Sequence, residues 1–324
     1  MSPLAGPRAR ILLLFSLALQ AQLAGASGLG VHGQGVRSPR ALHTRLALAD
    51  AVAIATIDQV EVGRIRVRDA APLKGRPAES FELKRAPSRP PPLTAGDRAL
   101  LLLRGARPPY LLVDAAHETI ALADAAAETR WQRAVSDVLA VQGRPEPLLA
   151  LYLVWLAGPA DDLREVALAG LGDPDAPFQP LPASALAPVV ELAVAADSDE
   201  ALRRNAAGIA LGSDAGRRAL LARLPDTSGD LVLLNHALRV GRVAEVPEFR
   251  PALVRTLRHP DPAIRRVAFG FGGATWRDPA LRSELLRLAD GDPDPDLRSR
   301  AQRALDWKPA EAAGPSRASD GANP

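Results

Sequence analysis

Cysteine is absent from the 324 residues. That excludes disulfides, thiol catalysis, thiolate zinc sites and an anchor built on a lipidated cysteine. Aromatic residues make up only 4% of the chain. The apolar mass therefore rests on alanine and leucine, which lose little on entering a helix. Lysine occurs only as Lys74, Lys84 and Lys308. Arginine carries the basic charge, which we read as a coding bias toward Arg, Ala, Gly and Pro. Long apolar runs are missing too: Leu148 to Leu156 falls far short of the ~20 residues that a spanning helix requires.

What is present is a hydrophobic content of 47%, enough for two modest domains with cores of their own. At the N-terminus, Arg8 and Arg10 precede an apolar stretch from Ile11 to Leu19, broken only by Ser16. Ala24-Gly25-Ala26 supplies a small-x-small cleavage pattern, so residues 1–26 are expected to be a signal peptide. The stretch is too short for an uncleaved anchor. The expectation is export to the periplasm or the medium. An exported chain without disulfides depends on packing alone, which a stack of helices supplies.

The formal charge is +3, and +1 once Arg8 and Arg10 are removed. Residues 27–115 hold 14 basic and 8 acidic groups, a surplus of six basic, whereas the remainder holds 24 basic and 29 acidic, a surplus of five acidic. Opposite signs suit docking of the two halves or two different partners. They do not amount to a nucleic-acid footprint.

Residues 27–45 are Gly-rich, lack periodicity and are expected to be a flexible lead-in. Residues 46–122 change to short β-type runs. Ala51 to Val62 is rich in Val and Ile, and Arg64-Ile65-Arg66-Val67-Arg68 alternates as a half-buried strand does. Glu79 to Lys84, Arg98 to Arg104 and Tyr110 to Val113 complete five strands, with a Pro-rich loop at Pro87 to Pro92. A small antiparallel barrel or sandwich follows. The strings Ala49 to Ile57, Leu73-Lys74-Gly75 and Gly96 to Leu103 resemble the OB-like, netrin-type modules of exported bacterial proteins. Residues 124–141 form one amphipathic helix with Trp131, Val135, Val138 and Leu139 on one face. Its place suits a linking or capping helix. Residues 308–324 lack apolar periodicity and are expected to be disordered.

Residues 145–307 carry a repeat. Asp199-Glu200-Ala201-Leu202-Arg203-Arg204-Asn205-Ala206, Asp261-Pro262-Ala263-Ile264-Arg265-Arg266-Val267-Ala268 and Asp294-Pro295-Asp296-Leu297-Arg298-Ser299-Arg300-Ala301 are its clear copies. Asp230 to Ala237 and a shifted copy at Asp161 to Ala167 are irregular. The alanines at 167, 206, 237, 268 and 301 are 39, 31, 31 and 33 residues apart, a period that fits one helical hairpin. In the string Asp is a helix cap, and Pro, where it stands at 262 and 295, suits the first helical position. The Leu or Ile and the Ala four residues on share a face, and Ala admits a close neighbour. The Arg is placed to reach a carboxylate or carbonyl in the adjacent repeat. The string resembles the HEAT-like repeats of the bilin-lyase type, with the pattern D-P-x-[VI]-R-x-x-A. That resemblance implies an α-solenoid, most often a non-catalytic binding scaffold; no cysteine chemistry of the lyases is supported here. The expected fold is α+β and multidomain, a small antiparallel β-barrel followed by an α-solenoid of HEAT-like hairpins.

No catalytic, cofactor or metal residue is assigned. Gly28 to Gly33 matches G-x-G-x-x-G but lacks the strand before it and the helix after it that dinucleotide binding needs. The five histidines (His32, His43, His117, His236, His259) show no ligand spacing. Gly291 to Asp296 resembles the start of a calcium loop but has Leu297 where Gly is required; capping aspartates explain it better. The remaining candidate is a surface. Glu165, Arg204, Asn235, Arg266 and Ser299, with Arg239 and Arg303, should point away from the core and align as a polar, mainly Arg stripe. The expected function is a non-catalytic protein-interaction scaffold with a protein partner on that face. The alternatives are an enzyme with its site in or beside the β-domain, and nucleic-acid binding by the stripe, against which export argues.

Overall fold

The alternating and apolar runs between residues 51 and 122 become six strands in the computed structural model, which describes residues 41–84, 93–113, 119–223, 230–272, 276 and 278–306. The expected signal peptide, most of the Gly-rich lead-in, the Pro87–Pro92 loop and the tail lie outside the described residues. The strands are β1 (Ala51–Glu61), β2 (Arg64–Lys74), β3 (Phe81–Lys84), β4 (Arg98–Arg104), β5 (Tyr110–Leu112) and β6 (Thr119–Leu122).

The ladder runs β1-β2-β3-β5-β4, and β4 pairs again with β1, so five strands close into a barrel while β6 adds to β4. The expected all-antiparallel barrel needs one correction. β3 and β5 pair parallel, with Leu83 opposite Tyr110. Closure demands this, because β5 must fill the gap between β3 and β4 in the direction that its antiparallel pairing with β4 imposes. The interior holds Ile57, Ile65, Val67, Phe81, Leu83, Leu101, Leu103 and Tyr110. Phe81 and Tyr110 meet edge to face at 5.0 Å. Ile65 and Val67 are buried while Arg64, Arg66 and Arg68 are exposed, the alternation read from the sequence. β4 is buried on both faces from Ala99 to Leu103. That is why its apolar run is continuous instead of alternating.

The outer cover comes from helices. α1 (Leu42–Leu48) and α2 (Ala125–Val141) pack against the barrel wall, α1 on β4 and α2 on β2 and β6. The first four residues of α1 (Leu42–Leu48) were expected to belong to the lead-in and the last three to the β-domain. Leu42 and Leu46 are fully buried, and Lys74 Nζ donates to the Leu46 and Ala49 carbonyls, each at 2.7 Å, satisfying the free acceptors at the helix end. α2 starts at Asp124, whose carboxylate accepts from the Ala127 N–H at 2.7 Å. It buries Trp131, Ala134, Val135 and Val138.

Among the described residues ten further helices follow: α3 (Pro145–Ala157), α4 (Asp161–Leu171), α5 (Ala183–Val194), α6 (Glu200–Leu211), α7 (Asp214–Arg223), α8 (Leu231–Val243), α9 (Phe249–Leu257), α10 (Pro262–Phe269), α11 (Pro279–Gly291) and α12 (Pro295–Asp306). The chain divides into two compact units at Gly216/Arg217. The division therefore falls among the helices, not where strands give way to helices. In the first unit α3 packs on α4 and α5, and α4 and α5 both pack on α6. In the second, α8, α9 and α10 pack on one another, α11 packs on α9, and α12 packs on α11.

All five repeat alanines, Ala167, Ala206, Ala237, Ala268 and Ala301, are 0% exposed. A larger side chain there would push two helices apart. Asp199 caps α6 through the Ala201 and Leu202 N–H groups. Asp230 caps α8 through Leu233, and Asp261 caps α10 through Ala263. Asp161 caps nothing; it pairs with Arg164, consistent with the shifted character of that copy.

The arginine of the repeat has a second use. Arg164 donates to the Gly158 carbonyl, Arg265 to those of His259 and Pro260, and Arg298 to that of Asp292. In each case the guanidinium returns to a carbonyl six residues earlier and ties the helix to its own preceding turn. Reach into an adjacent repeat is made by Arg265, which also grips Asp292 with two bonds of 2.8 Å.

Candidate functional site

The seven stripe positions lie at the surface. In the first unit Glu165 is exposed and Arg204 half-exposed; in the second Asn235, Arg239, Arg266, Ser299 and Arg303 are exposed. Their charge is less uniform than the sequence suggests. Arg204 pairs with Glu200, one turn earlier on α6. Arg266 pairs with Asp294 at 2.6 Å, whose carboxyl is held below its ordinary range mainly by that bond. Arg239 meets His236 Nδ1 at 3.2 Å, and Arg303 donates to Ser299 Oγ at 2.6 Å. Glu165 sits among carboxylates: burial first, then Asp199, Asp161 and Asp162, raise its pKa. The first unit thus presents acid at this position, while Arg239 and Arg303 in the second unit have neutral partners.

The turn that resembles a calcium loop is committed to arginine. Asp292 is the partner of Arg265, Asp294 of Arg266, and both also accept backbone N–H groups of the turn. Among the described residues no group of three His, Cys, Asp or Glu side chains is placed to hold a metal ion. His32, His117 and the Gly28–Gly33 string lie outside the described residues.

One cluster escaped the sequence reading. His43 on α1 lies 2.8 Å, through Nδ1, from the hydroxyl of Tyr152 on α3. Thr44 Oγ1 is 3.3 Å from His43 Nε2 and 3.3 Å from Asp173 Oδ2 in the turn after α4. Phe178 and Trp155 close the aromatic contacts around Tyr152. These residues are more than a hundred positions apart, and a lone His in a short helix carries no spacing signal. Burial lowers the pKa of His43, against an opposing contribution from Asp173. Burial raises that of the Tyr152 phenol well above its ordinary value. Tyr152 is fully buried, so the phenol serves the packing of α1 on α3 rather than a dissolved substrate.

A histidine whose pKa is lower in the folded state takes up its proton more readily when unfolded. Its contribution to stability is present above the ordinary imidazole pKa of ~6.5. It is lost as pH falls from there through the depressed folded value. Melting curves from pH 8 to pH 5 should show a falling midpoint that flattens in His43→Gln. An equal slope in both proteins would remove His43 as the cause.

No family model, curated protein or solved structure matches the chain.

Proposed function

We propose that the protein is an exported, non-catalytic scaffold that binds a protein partner through the outer face of its helical hairpins. Its barrel is OB-like and its helices form an irregular HEAT-like solenoid, by this reading. Five fully buried alanines at hairpin spacing support the solenoid, since they are the positions at which successive helices need close approach. The strand order of the barrel supports the OB-like assignment. The observation that carries the function is the exposure of all the predicted outer positions of the second unit. Among the described residues Arg239 and Arg303 there have only neutral partners, so their charge is available to an acidic partner surface.

Arg204 and Arg266 are committed to Glu200 and Asp294, which narrows the stripe to fewer cations. That weakens the nucleic-acid alternative, which depends on many phosphate contacts. The test compares proteins recovered from periplasm or culture supernatant by the wild-type chain and by Arg239→Glu/Arg303→Glu, with Arg204→Glu/Arg266→Glu added in a second variant. The expected result is that partners held by the wild type are lost in the first variant, with its melting midpoint unchanged. A folded variant that keeps all of them would remove the stripe from the function.

A further inference from the structure

The helical pairs α9–α10 and α11–α12 repeat one another position for position. In the second helix the offset is 33: Asp261, Arg265 and Ala268 match Asp294, Arg298 and Ala301. In the first helix it is 32. Phe249, Ala252, Leu253 and Thr256 are buried in α9, and Leu281, Glu284, Leu285 and Leu288 are buried in α11. The same offset relates two arginines of like use. Arg255 donates to the Leu221 and Ala222 carbonyls of α7, and Arg287 donates to the Leu257 carbonyl of α9.

Two arginines fasten α9–α10 to the pair that follows. Arg258 holds Glu284. Arg265, besides the His259 and Pro260 carbonyls, holds both oxygens of Asp292 through Nε and Nη2. On α12, Arg298 repeats half of this arrangement. Its Nη1 donates to the Asp292 carbonyl six residues back, as Arg265 Nη1 does to that of His259. Its Nε and Nη2 have no partner among the described residues. Asp290 stands at the place of Arg258, and among the described residues it too has no ion pair or side-chain hydrogen bond. It also lies in the last turn of α11, where a negative charge opposes the helix dipole. Burial follows the same line. Leu257, Arg265 and Phe271 are buried, whereas their counterparts Ala289, Arg298 and Ala304 are half-buried. Leu286 on α11 is 46% exposed. The face that is covered on α9–α10 is thus open on α11–α12 among the described residues.

We propose that this face binds the same face of a second copy of the chain about a two-fold axis. Arg298 of each copy holds Asp290 of the other, and Leu286 is covered between them. A two-fold contact has to be self-complementary. The open face meets that condition, because its free cation and its free anion are counterparts, and Leu286, Ala289 and Ala304 supply apolar contact. A further pair stacked in the manner of α11–α12 fits less well, since it brings a carboxylate, as Glu284 is brought to Arg258, against Asp290. The helices are short, ~20 and ~18 Å, so the contact is small and the dimer weak.

Sedimentation equilibrium of the full chain from roughly 1 to 300 µM, the range of a small interface, should show monomer and dimer in exchange. Arg298→Glu and Asp290→Arg each set like charges against one another in both contacts. Each should weaken the dimer at least about tenfold. Arg298→Glu/Asp290→Arg exchanges the two charges and should return the dimer to near its original strength. Asp290→Arg disturbs no other bond among the described residues, so it decides the matter even where Arg298→Glu loosens the turn at Asp292. A dimer indifferent to Asp290→Arg, or a folded double variant as weak as the single ones, would overturn the proposal. So would a wild type that stays monomeric throughout; association appearing only on removal of residues 307–324 would then give the face to that segment.

Discussion

Replacing Arg265 by alanine should destabilise the C-terminal unit by about 3–5 kcal/mol, the first of two large effects expected of single substitutions here. Its side chain is 6% exposed and that of its partner Asp292 is 1% exposed. The guanidinium holds both oxygens of that carboxylate and, in addition, the His259 and Pro260 carbonyls. Removing it leaves a buried carboxylate with no cation and two carbonyls without their donor. The penalty comes from the stranded groups more than from the lost attraction. Arg265→Met/Asp292→Asn should therefore cost clearly less than Arg265→Ala alone, because the pair is neutralised together and Asn keeps an acceptor for the Asp294 N–H. Hydrogen exchange in α10 to α12 reads the free energy of this unit separately from the rest. A single-variant loss under about 1 kcal/mol, the size found for exposed pairs, would show that Asp292 is solvated in solution.

The second large effect is at Tyr152, which packs α1, α3 and α4 together. Tyr152→Ala should cost about 3–5 kcal/mol through the cavity it leaves. Tyr152→Phe should cost only about 1 kcal/mol, the worth of the hydroxyl's bond to His43. Gly170 on α4 is the complementary probe. A methyl group there would lie 2.3 Å from the Tyr152 ring, so Gly170→Ala overpacks the site, at about 1–3 kcal/mol. The two changes interact. With the ring removed, the added methyl has room, and Gly170→Ala in the Tyr152→Ala background should cost little or even stabilise. Chemical unfolding of the four proteins closes the cycle. Strict additivity would mean that the ring and Gly170 do not touch.

Much of the local structure was legible in the sequence. Ile65 and Val67 alternate with arginines because one face of β2 meets the barrel interior and the other meets water. The recurring Asp, Leu or Ile, and Ala at 199, 261 and 294 mark helix starts and buried faces, since capping and helical periodicity act within a few residues. The outer positions Asn235, Arg239, Arg266, Ser299 and Arg303 were found the same way. Less legible were α1 and β6. α1 has seven residues, too few for a periodic signal, and β6 has four. Both owe their form to the barrel wall they cover.

What the sequence determined by itself is which residues turn inward: the alternation of a strand and the period of a helical hairpin are properties of neighbouring residues. Only the tertiary structure decided what those faces meet. Closure of the barrel through a parallel β3/β5 pair, the meeting of His43 with Tyr152 across 109 positions and the grip of Arg265 on Asp292 all join distant residues. Which partner fills a buried or grooved face depends on how whole elements pack, and side-chain periodicity along one element does not encode the element on the other side.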